Sequence, residues 1–443
     1  MRIRHLVALL LVLAVVGVGL TFLQARPLKP TDAPPASSFA PEAVRRGAEL
    51  AAIGDCASCH TAPNGRPYAG GVALETPYGT IHGTNVTPDP DTGIGRWSAQ
   101  AFARAMREGV DREGRRLYPA FPYSHYTRLA GGDIDALYAF LMTRTPVRAT
   151  APENRLRFPY GFRPIVIGWN WLYLDRKRFR PDPTKSDQWN HGAYLAEALG
   201  HCGACHTPRT RFGGEDPRAH FNGGVAEGWW APPLNQTSPS AEPWTADGLY
   251  AYLRSWDAAH GGAVGPMAAV TANLAGAPEA DVRAIAAYVA ERMGPPQPLN
   301  KARRDGLMAR AEPDGSRDPA LARGGAVYQG ACAQCHATGG QTPFTVPSLA
   351  QHTSLFGPVP DNVLQVVLHG IRTPQGAAGP LMPGFADALT PAQVADLAAY
   401  LRARFTDQPP WPDVEAAVRR IRGQPSQAVP AAPVDGAVQK ALD

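Results

Sequence analysis

All six cysteines of the 443-residue chain fall in three copies of the pattern C-x-x-C-H. The copies comprise Cys56, Cys59 and His60; Cys202, Cys205 and His206; and Cys332, Cys335 and His336. The two sulfurs of such a motif can add to the two vinyl groups of a haem, and the histidine that follows then lies under the ring and binds its iron. The sequence therefore predicts three covalently bound haem c groups, with the three histidines as proximal iron ligands.

Two other uses of C-x-x-C are less consistent with this chain. A zinc site would need a second pair of ligands for each motif. A thioredoxin-like redox dithiol would need a surrounding βαβ pattern, which the sequence lacks. Three copies in register with a helical repeat, and no cysteine left for a disulfide, favour haem attachment over both.

The sixth iron ligand of the second and third haems is predicted to be a methionine. Met267 and Met382 lie in Pro- and Gly-rich stretches late in their repeats, and a thioether ligand raises the potential of haem iron. Methionine more often fills gaps in a core. However, only seven methionines occur, and these two are not on apolar helix faces.

The first repeat departs from this pattern, because Phe121 stands at the position equivalent to Met267 and cannot bind iron. We expect His125, four residues further on, to be the sixth ligand, since imidazole binds iron strongly. Met106 and Met142 are alternatives, but both lie on predicted helix faces, where core packing is the better interpretation. The third alternative is a five-coordinate iron open to small ligands.

Each repeat also places a glycine near the middle of its opening helix and an aromatic residue in its closing helix. The glycines are Gly47, Gly192 and Gly324, and the aromatic residues are Phe140, Tyr288 and Tyr400. Glycine inside a helix lowers helix stability unless another backbone packs closely against it. We therefore expect the two helices of each repeat to cross at the glycine, as in a cytochrome c domain.

These patterns predict an all-α fold of three tandem class I cytochrome c domains behind an N-terminal membrane-spanning helix. The expected organisation is a signal anchor at 1–25, a Pro-rich linker at 26–40, domains at 41–150, 187–297 and 318–407, an aromatic and basic linker at 151–186, a linker at 298–317 and a disordered tail at 408–443. The segment 151–186 is interpreted either as a docking or membrane-contact site or as a linker packed across two domains.

The N-terminus carries basic residues before an apolar run from Leu6 to Leu23, as in an export signal. A cleavage site near Ala25 is poor, so an uncleaved anchor with the body outside the cytoplasm is favoured over a cleaved signal. The chain has 43 Lys and Arg against 38 Asp and Glu, and the excess forms no basic stripe. Nucleic acid is therefore not an expected partner.

Five further motifs carry a family resemblance. They are Thr76–Ile81, Thr84–Asp89, Gly93–Trp97, Tyr118–Tyr123 and Gly200–Pro208. Through them, about residues 40–410 resemble the three-haem cytochrome c subunits of bacterial periplasmic dehydrogenase complexes.

The resemblance implies an inner-membrane-anchored protein on the periplasmic face, which is not itself the enzyme. It would pass electrons from a catalytic subunit, of the molybdenum, flavin or pyrroloquinoline quinone type, to ubiquinone or a terminal oxidase. Alcohol and gluconate types have methionine at the position of Phe121. The F-P-Y-x-H pattern ending at His125 is instead similar to cytochromes paired with molybdenum hydroxylases of the aldehyde, nicotinate or isoquinoline type.

Two other functions remain open on the sequence. A stand-alone haem enzyme would need an open iron site with nearby acid–base groups, which only the first haem could supply if His125 does not bind. A free electron carrier would be favoured if the mature chain began after Ala25.

Overall fold

The structure, a computed structural model, describes residues 2–24, 26–295, 298–310, 312–313, 318–337, 346–371 and 382–423. For residues 2, 20–24, 298–301 and 304 it describes the backbone alone.

Helices dominate the described chain. In chain order they are α1 (Arg2–Gln24), α2 (Pro41–Ile53), α3 (Cys56–His60), α4 (Ala99–Glu108), α5 (Tyr123–Tyr126), α6 (Gly131–Met142), α7 (Ile165–Tyr173), α8 (Asp187–Tyr194), α9 (Gly203–His206), α10 (Ala246–Arg254), α11 (Pro266–Ala275), α12 (Glu279–Met293), α13 (Pro298–Met308), α14 (Pro319–Ala331), α15 (Ala333–His336), α16 (Asp361–His369), α17 (Pro391–Phe405) and α18 (Val414–Arg422). A π turn, Leu195–Leu199, extends α8, and short 3-10 turns occupy Ala36–Ser38, Pro217–Ala219, Leu349–Gln351 and Thr353–Phe356.

Small antiparallel ladders accompany the helices, which the all-α prediction did not include. They are formed by β1 (Ala73–Thr76), β2 (Gly79–His82) and β3 (Arg155–Leu156), by β4 (Gly224–Ala226) and β5 (Trp229–Ala231), and by β6 (Trp256–Asp257) and β7 (Gly261–Gly262). Ladders of two to four residues are too short to show a period-two hydrophobic pattern. The prediction of a mostly helical fold is confirmed.

The predicted helix crossings are confirmed. A Cβ atom added to Gly47, Gly192 or Gly324 would clash with the carbonyl oxygen of Ala136, Ala284 or Asp396 on the facing helix. The same atoms would lie 2.6, 3.0 and 2.8 Å from the Cβ atoms of Phe140, Tyr288 and Tyr400. The pairs α2 with α6, α8 with α12, and α14 with α17 therefore touch backbone to backbone, and only glycine fits at each crossing point.

The hydrophobic core is divided differently from the predicted domains. Buried side chains of the first and second repeats form one continuous cluster, whereas the third repeat has its own. The join between the first two lies beside their haem motifs, where a Cβ at Gly54 would be 3.1 Å from Leu199. The predicted boundaries at 150 and 187 stay predictions, but the first two repeats pack as one body.

The second and third repeats meet at an amide clamp. The backbone N–H of Trp230 donates to Asn362 Oδ1 at 2.8 Å, and Asn362 Nδ2 donates to the carbonyl oxygen of Trp230 at 2.8 Å. Both residues are buried, and a Cβ at Gly357 would lie 2.8 Å from the Trp230 ring. This pairing fixes the third repeat against β5 of the second.

The segment 151–186 packs across the first two repeats. β3 adds to the edge of β2, and Tyr123 donates a 2.7 Å hydrogen bond to Asn170 of α7. At the other end, Tyr173 and Thr210 share a 2.6 Å hydrogen bond. One side of α7 is nevertheless exposed, so the segment is both a packed linker and an open surface.

The N-terminal apolar run forms the helix α1, as its composition predicts. Within the ranges that the structure describes, no helix combines the length and apolar character needed to span a membrane. The predicted membrane-spanning segment at 1–25 is therefore not supported. Part of it, including Met1 and Ala25, lies outside the described residues.

The predicted disordered tail is wrong at its start. Residues 408–423 contain α18, whose Val418 and Ile421 are buried in the core of the third repeat together with Trp411. α18 is amphipathic and buries its apolar stripe. The prediction of disorder rested on the Pro- and Ala-rich composition of the later tail, which does not apply to α18. Residues 424–443 lie outside the description.

Candidate haem sites

Each C-x-x-C-H motif sits on a short helix that follows the opening helix of its repeat. In the first repeat, Asp55 adopts a left-handed backbone (φ 52°) and turns the chain from α2 into α3. Cys56 and Cys59 are then one helical turn apart on α3, with His60 next to them. All six cysteines, which lie in described ranges, are unpaired thiols, and so each pair is available for haem attachment.

The proximal histidines of the first two motifs are oriented by backbone carbonyls. His60 Nδ1 lies 2.6 Å from the carbonyl oxygen of Thr84, and His206 Nδ1 lies 2.6 Å from that of Pro232. Because a carbonyl only accepts, Nδ1 carries the proton in both, and Nε2 presents its lone pair to a metal. Burial lowers the pKa of His60 and of His206, which keeps the imidazoles neutral and able to bind iron.

The third motif is less complete in the described residues. Burial lowers the pKa of His336 as well, but no acceptor for its Nδ1 is found among the residues that the structure describes. Residues 338–345, which follow directly, lie outside the description. Cys335 is also exposed, unlike the other five cysteines.

The surroundings of Cys56 and Cys202 differ from those of redox dithiols. Burial, followed by the nearby carboxylates of Asp55 and Glu197, raises the pKa of Cys56 and of Cys202 to about 12. Thioredoxin-like motifs instead lower the pKa of their attacking thiol, so that it is a thiolate near neutral pH. The environment of these motifs therefore disfavours disulfide exchange.

One continuous cavity of about 5200 Å³ connects the three motifs. Typical small-molecule pockets measure about 300–1,000 Å³, so this cavity has room for several large groups. Its lining includes all six cysteines, the three proximal histidines and both candidate methionines. Its size, its linkage of the three motifs and the two oriented histidines fit a haem group at each motif.

Met267 lines this cavity together with His206, but it lies at the start of a helix rather than in a loop. α11 begins at Pro266, after Gly265 with φ 58°. A Cβ at Gly265 would come 2.5 Å from the Trp229 ring, so glycine lets the chain turn tightly there. Met267 and His206 thus line the same cavity. The role of Met267 as the sixth iron ligand stays a prediction.

Met267→Leu tests that role, because leucine keeps the volume and removes the sulfur. We expect the potential of one haem to fall on the order of 0.1 V, within the range of about 0.8 V that axial ligands span. The reduced protein should also gain a carbon monoxide-sensitive band. Met142→Leu is the matched control, since Met142 is buried in the shared core and does not line the cavity. Unchanged potentials and spectra in Met267→Leu would rule out ligation.

Met382 also lines the cavity, as does His336. Its backbone pairs with Ile371, with hydrogen bonds of 2.9 and 3.2 Å. The bridge holds the chain in place after residues 372–381, which lie outside the described ranges. Met382 as the sixth ligand of the third haem stays a prediction.

The structure places His125 against the second motif. His125 Nδ1 lies 2.8 Å from the carbonyl oxygen of Glu197, and Nε2 lies 2.6 Å from Glu215 Oε1. Its ring also packs 3.3 Å from where a Cβ of Gly203, in the second motif, would be. Both ring nitrogens are thus used by the second repeat, and iron binding would require at least one of these bonds to break. His125 as an iron ligand stays a prediction that these contacts oppose.

The alternatives for the first haem are also located. Met106 and Met142 are both buried in the shared core, and Met106 also lines the cavity. Phe121 lines the cavity, with its ring 5.3 Å from that of Tyr126. An aromatic ring, rather than a ligand atom, occupies the position equivalent to the predicted methionines.

Sequence reasoning missed a buried polar network beneath His125. Glu197 accepts from His220 Nε2 at 2.9 Å, from Tyr288 and from Arg128 at 3.2 Å. Burial alone would raise the pKa of Glu197, but the hydrogen bond and charge of His220, with the other partners, lower it to about 2. His260 is also hydrogen-bonded, with its Nδ1 2.6 Å from Asp257. Glu197 and Glu215 belong to no motif, so no sequence signal identified them.

Comparisons with known proteins agree with this geometry. Residues 319–401 match the family described as cytochrome C oxidase, cbb3-type, subunit III. The chain is 47% identical over 403 residues to one of the subunits of nicotinate dehydrogenase from Pseudomonas putida, an alignment that covers 90% of this chain and 33% of that protein. It is 34% identical to the fructose dehydrogenase cytochrome subunit of Gluconobacter japonicus, over 87% of this chain and 83% of the relative. It is 35% identical to the gluconate 2-dehydrogenase cytochrome c subunit of Pantoea cypripedii, over 82% and 85%.

Proposed function

Because the chain belongs to the cytochrome c subunits of membrane-bound dehydrogenases, we propose that it is a three-haem relay serving a separate catalytic subunit. It works at the periplasmic face of the inner membrane and delivers electrons to ubiquinone or a terminal oxidase. Substrate oxidation takes place on the partner chain. The observation that carries the proposal is the single cavity that links all three C-x-x-C-H motifs.

The residues that would hold the haems are the six motif cysteines through thioether bonds and His60, His206 and His336 through Nε2. Bound haem iron supplies reversible one-electron chemistry. The chain's own contribution is to orient the imidazoles through Thr84 and Pro232, to exclude water by burial and to fix the spacing between sites. The fused core of the first two repeats and the Trp230–Asn362 clamp serve that spacing.

A molybdenum hydroxylase is the catalytic partner that we propose. The support is the F-P-Y-x-H pattern at Phe121–His125 and the 47% identity to the nicotinate dehydrogenase relative. The chain spans 33% of that relative, so this assignment rests on the shared part alone. Flavin and pyrroloquinoline quinone subunits are the other partner types that the wider family offers.

Native purification tests the proposal. Membranes are solubilised in mild detergent, the chain is purified under native conditions, and co-purifying protein is assayed for molybdenum, flavin and quinone cofactors. A stoichiometric subunit containing molybdenum is expected. A flavin or pyrroloquinoline quinone subunit would overturn the molybdenum branch alone, and a chain that purifies with three haems and no partner would overturn the subunit proposal.

The first haem site gives a separate prediction. Because Glu197 and Glu215 hold both ring nitrogens of His125, we expect carbon monoxide to shift the reduced spectrum of one haem in the unmodified protein. The matched comparison is His125→Ala, which should leave that shift in place. If the unmodified protein is inert and His125→Ala becomes carbon monoxide-sensitive, His125 is the ligand after all.

An open first haem also defines the alternative function, a stand-alone haem enzyme or a free carrier. The specific observation behind it is Phe121 in place of a ligand, with His125 and Glu215 nearby as acid–base groups. Peroxidase or small-ligand reductase turnover by the purified chain, abolished by Glu215→Gln, would favour this alternative.

A further inference from the structure

An uncovered apolar face runs along α7 and the turn before it. Phe158, Phe162, Ile165, Trp171 and Leu172 form this aromatic patch, and they are 96%, 65%, 43%, 59% and 66% exposed. Ile165 and Leu172 are seven residues apart, so they lie on the same side of the helix. A patch of this kind on one face marks an interaction surface rather than scattered surface residues.

The opposite side of α7 fixes the patch to the protein body. Val166, Ile167 and Asn170 are buried, and Asn170 accepts the hydrogen bond from Tyr123. The helix therefore does not turn its apolar side inward, because its other side already belongs to the core. On the exposed side, Phe158, Phe162 and Leu172 are not covered by any described part of the chain.

The charge around the patch is strongly positive. Residues 155–180 contain seven Lys and Arg and a single Asp, a net charge of +6, whereas all 443 residues carry +5. Arg176, Lys177 and Arg180 are exposed at the end of α7. A partner of this face must therefore offer an apolar region to the patch and negative charge to the basic residues beside it. An anionic bilayer provides both.

A second apolar surface lies directly alongside. A Cβ at Gly17 of α1 would lie 3.9 Å from the ring of Trp171, and so α1 and α7 are in van der Waals contact. The described side chains of α1, among them Leu6, Leu9 and Val15, are exposed on that helix. The two helices thus present one continuous apolar surface, flanked by cations.

We infer that the aromatic patch is a lipid-contact surface, which rests in the headgroup region of an anionic bilayer with Trp171 and Leu172 inserted among acyl chains. Tryptophan and tyrosine favour this boundary because one end of the ring is apolar and the other is polar. The inference deepens the proposed membrane location and rests on it. It would orient the cavity of the first two repeats at a fixed height above the bilayer.

Thiol accessibility tests the inference in the full haem-loaded chain. Because the three haems use all six cysteines, Phe162→Cys introduces the sole free thiol. Its reaction with a charged, water-soluble maleimide is measured with and without phosphatidylcholine vesicles containing phosphatidylglycerol. Met308→Cys is the matched control, since Met308 is exposed on α13 outside the patch.

We expect vesicles to slow labelling at position 162 by about tenfold or more and to leave position 308 unchanged, because an apolar surrounding suppresses the thiolate. Equal rates at position 162 with and without vesicles would overturn the inference. Protection by the catalytic subunit without lipid would also overturn it, and would identify the patch as a protein interface. The readout needs no electron transfer, so failure of the relay proposal would not change it.

Discussion

Replacing Cys202 and Cys205 together by alanine is expected to reduce the haem content from three groups per chain to two and to abolish electron delivery to the natural acceptor. The second motif lies between the others: Gly54 beside the first motif packs on Leu199, and β5 of the second repeat pairs with Asn362 of the third. Loss of the middle site therefore leaves two separated sites. Haem content is measured from the pyridine haemochrome spectrum together with the protein mass.

The control for this double replacement is Ala204→Ser, which alters one of the two residues between the same two cysteines. Serine already stands at the equivalent position, Ser58, of the first motif. The control should keep three haems and full activity. Electron delivery that survives loss of the middle haem would contradict the relay, whereas a double variant that keeps three haems would contradict covalent attachment at this motif.

Gly324→Ala is expected to unfold the third repeat at a lower temperature and to weaken haem retention there. Its Cβ would clash with the carbonyl oxygen of Asp396 and lie 2.8 Å from the Cβ of Tyr400, so α14 and α17 must separate. Overpacking of this kind costs about 1–3 kcal/mol or more. For a unit of this size, each kcal/mol lowers the melting temperature by about 4–8 °C.

Gly330 supplies a control on the same helix. It lies on α14, and a Cβ added there would meet nothing within 4 Å. Gly330→Ala should therefore leave stability unchanged or raise it by up to about 1 kcal/mol, since alanine is the better helix former. The melting temperatures are measured by differential scanning calorimetry. Equal values for the two variants would contradict the close crossing of α14 and α17.

Features set by local spacing were predictable from the sequence. A glycine and an aromatic residue at fixed positions in two helices indicated each crossing, because a close backbone contact leaves few residue types possible. The C-x-x-C-H spacing indicated the haem motifs for the same reason: covalent geometry fixes which residues can serve. The helices that carry these residues followed from a clear 3.6-residue period.

Features set by contacts between distant parts of the chain were not predictable in this way. Glu197 and Glu215 reach His125 from 72 and 90 residues away, and Asn362 pairs with Trp230 across 132 residues. None of these pairs has a spacing rule. α18 was missed for a related reason. Its apolar stripe is short, and the helix is recognisable only by its packing against the core of the third repeat.

The N-terminal segment shows the limit of composition. An apolar run predicts a helix correctly, and α1 is one. Whether such a helix spans a bilayer, lies on it or is removed depends on length, flanking residues and processing rather than on apolar character alone. The contact between α1 and Trp171 links this helix to the aromatic patch. Composition alone did not decide whether the segment that carries the patch is a linker or a membrane-contact surface.

The most direct test of the central claim mixes the intact detergent-solubilised complex anaerobically with the substrate of its catalytic subunit. The α-band absorption of the haems is recorded during the reaction. The relay predicts that substrate reduces all three haems of this chain, and that ubiquinone or the terminal oxidase then reoxidises them. Haems that stay oxidised while the catalytic cofactor becomes reduced would contradict it.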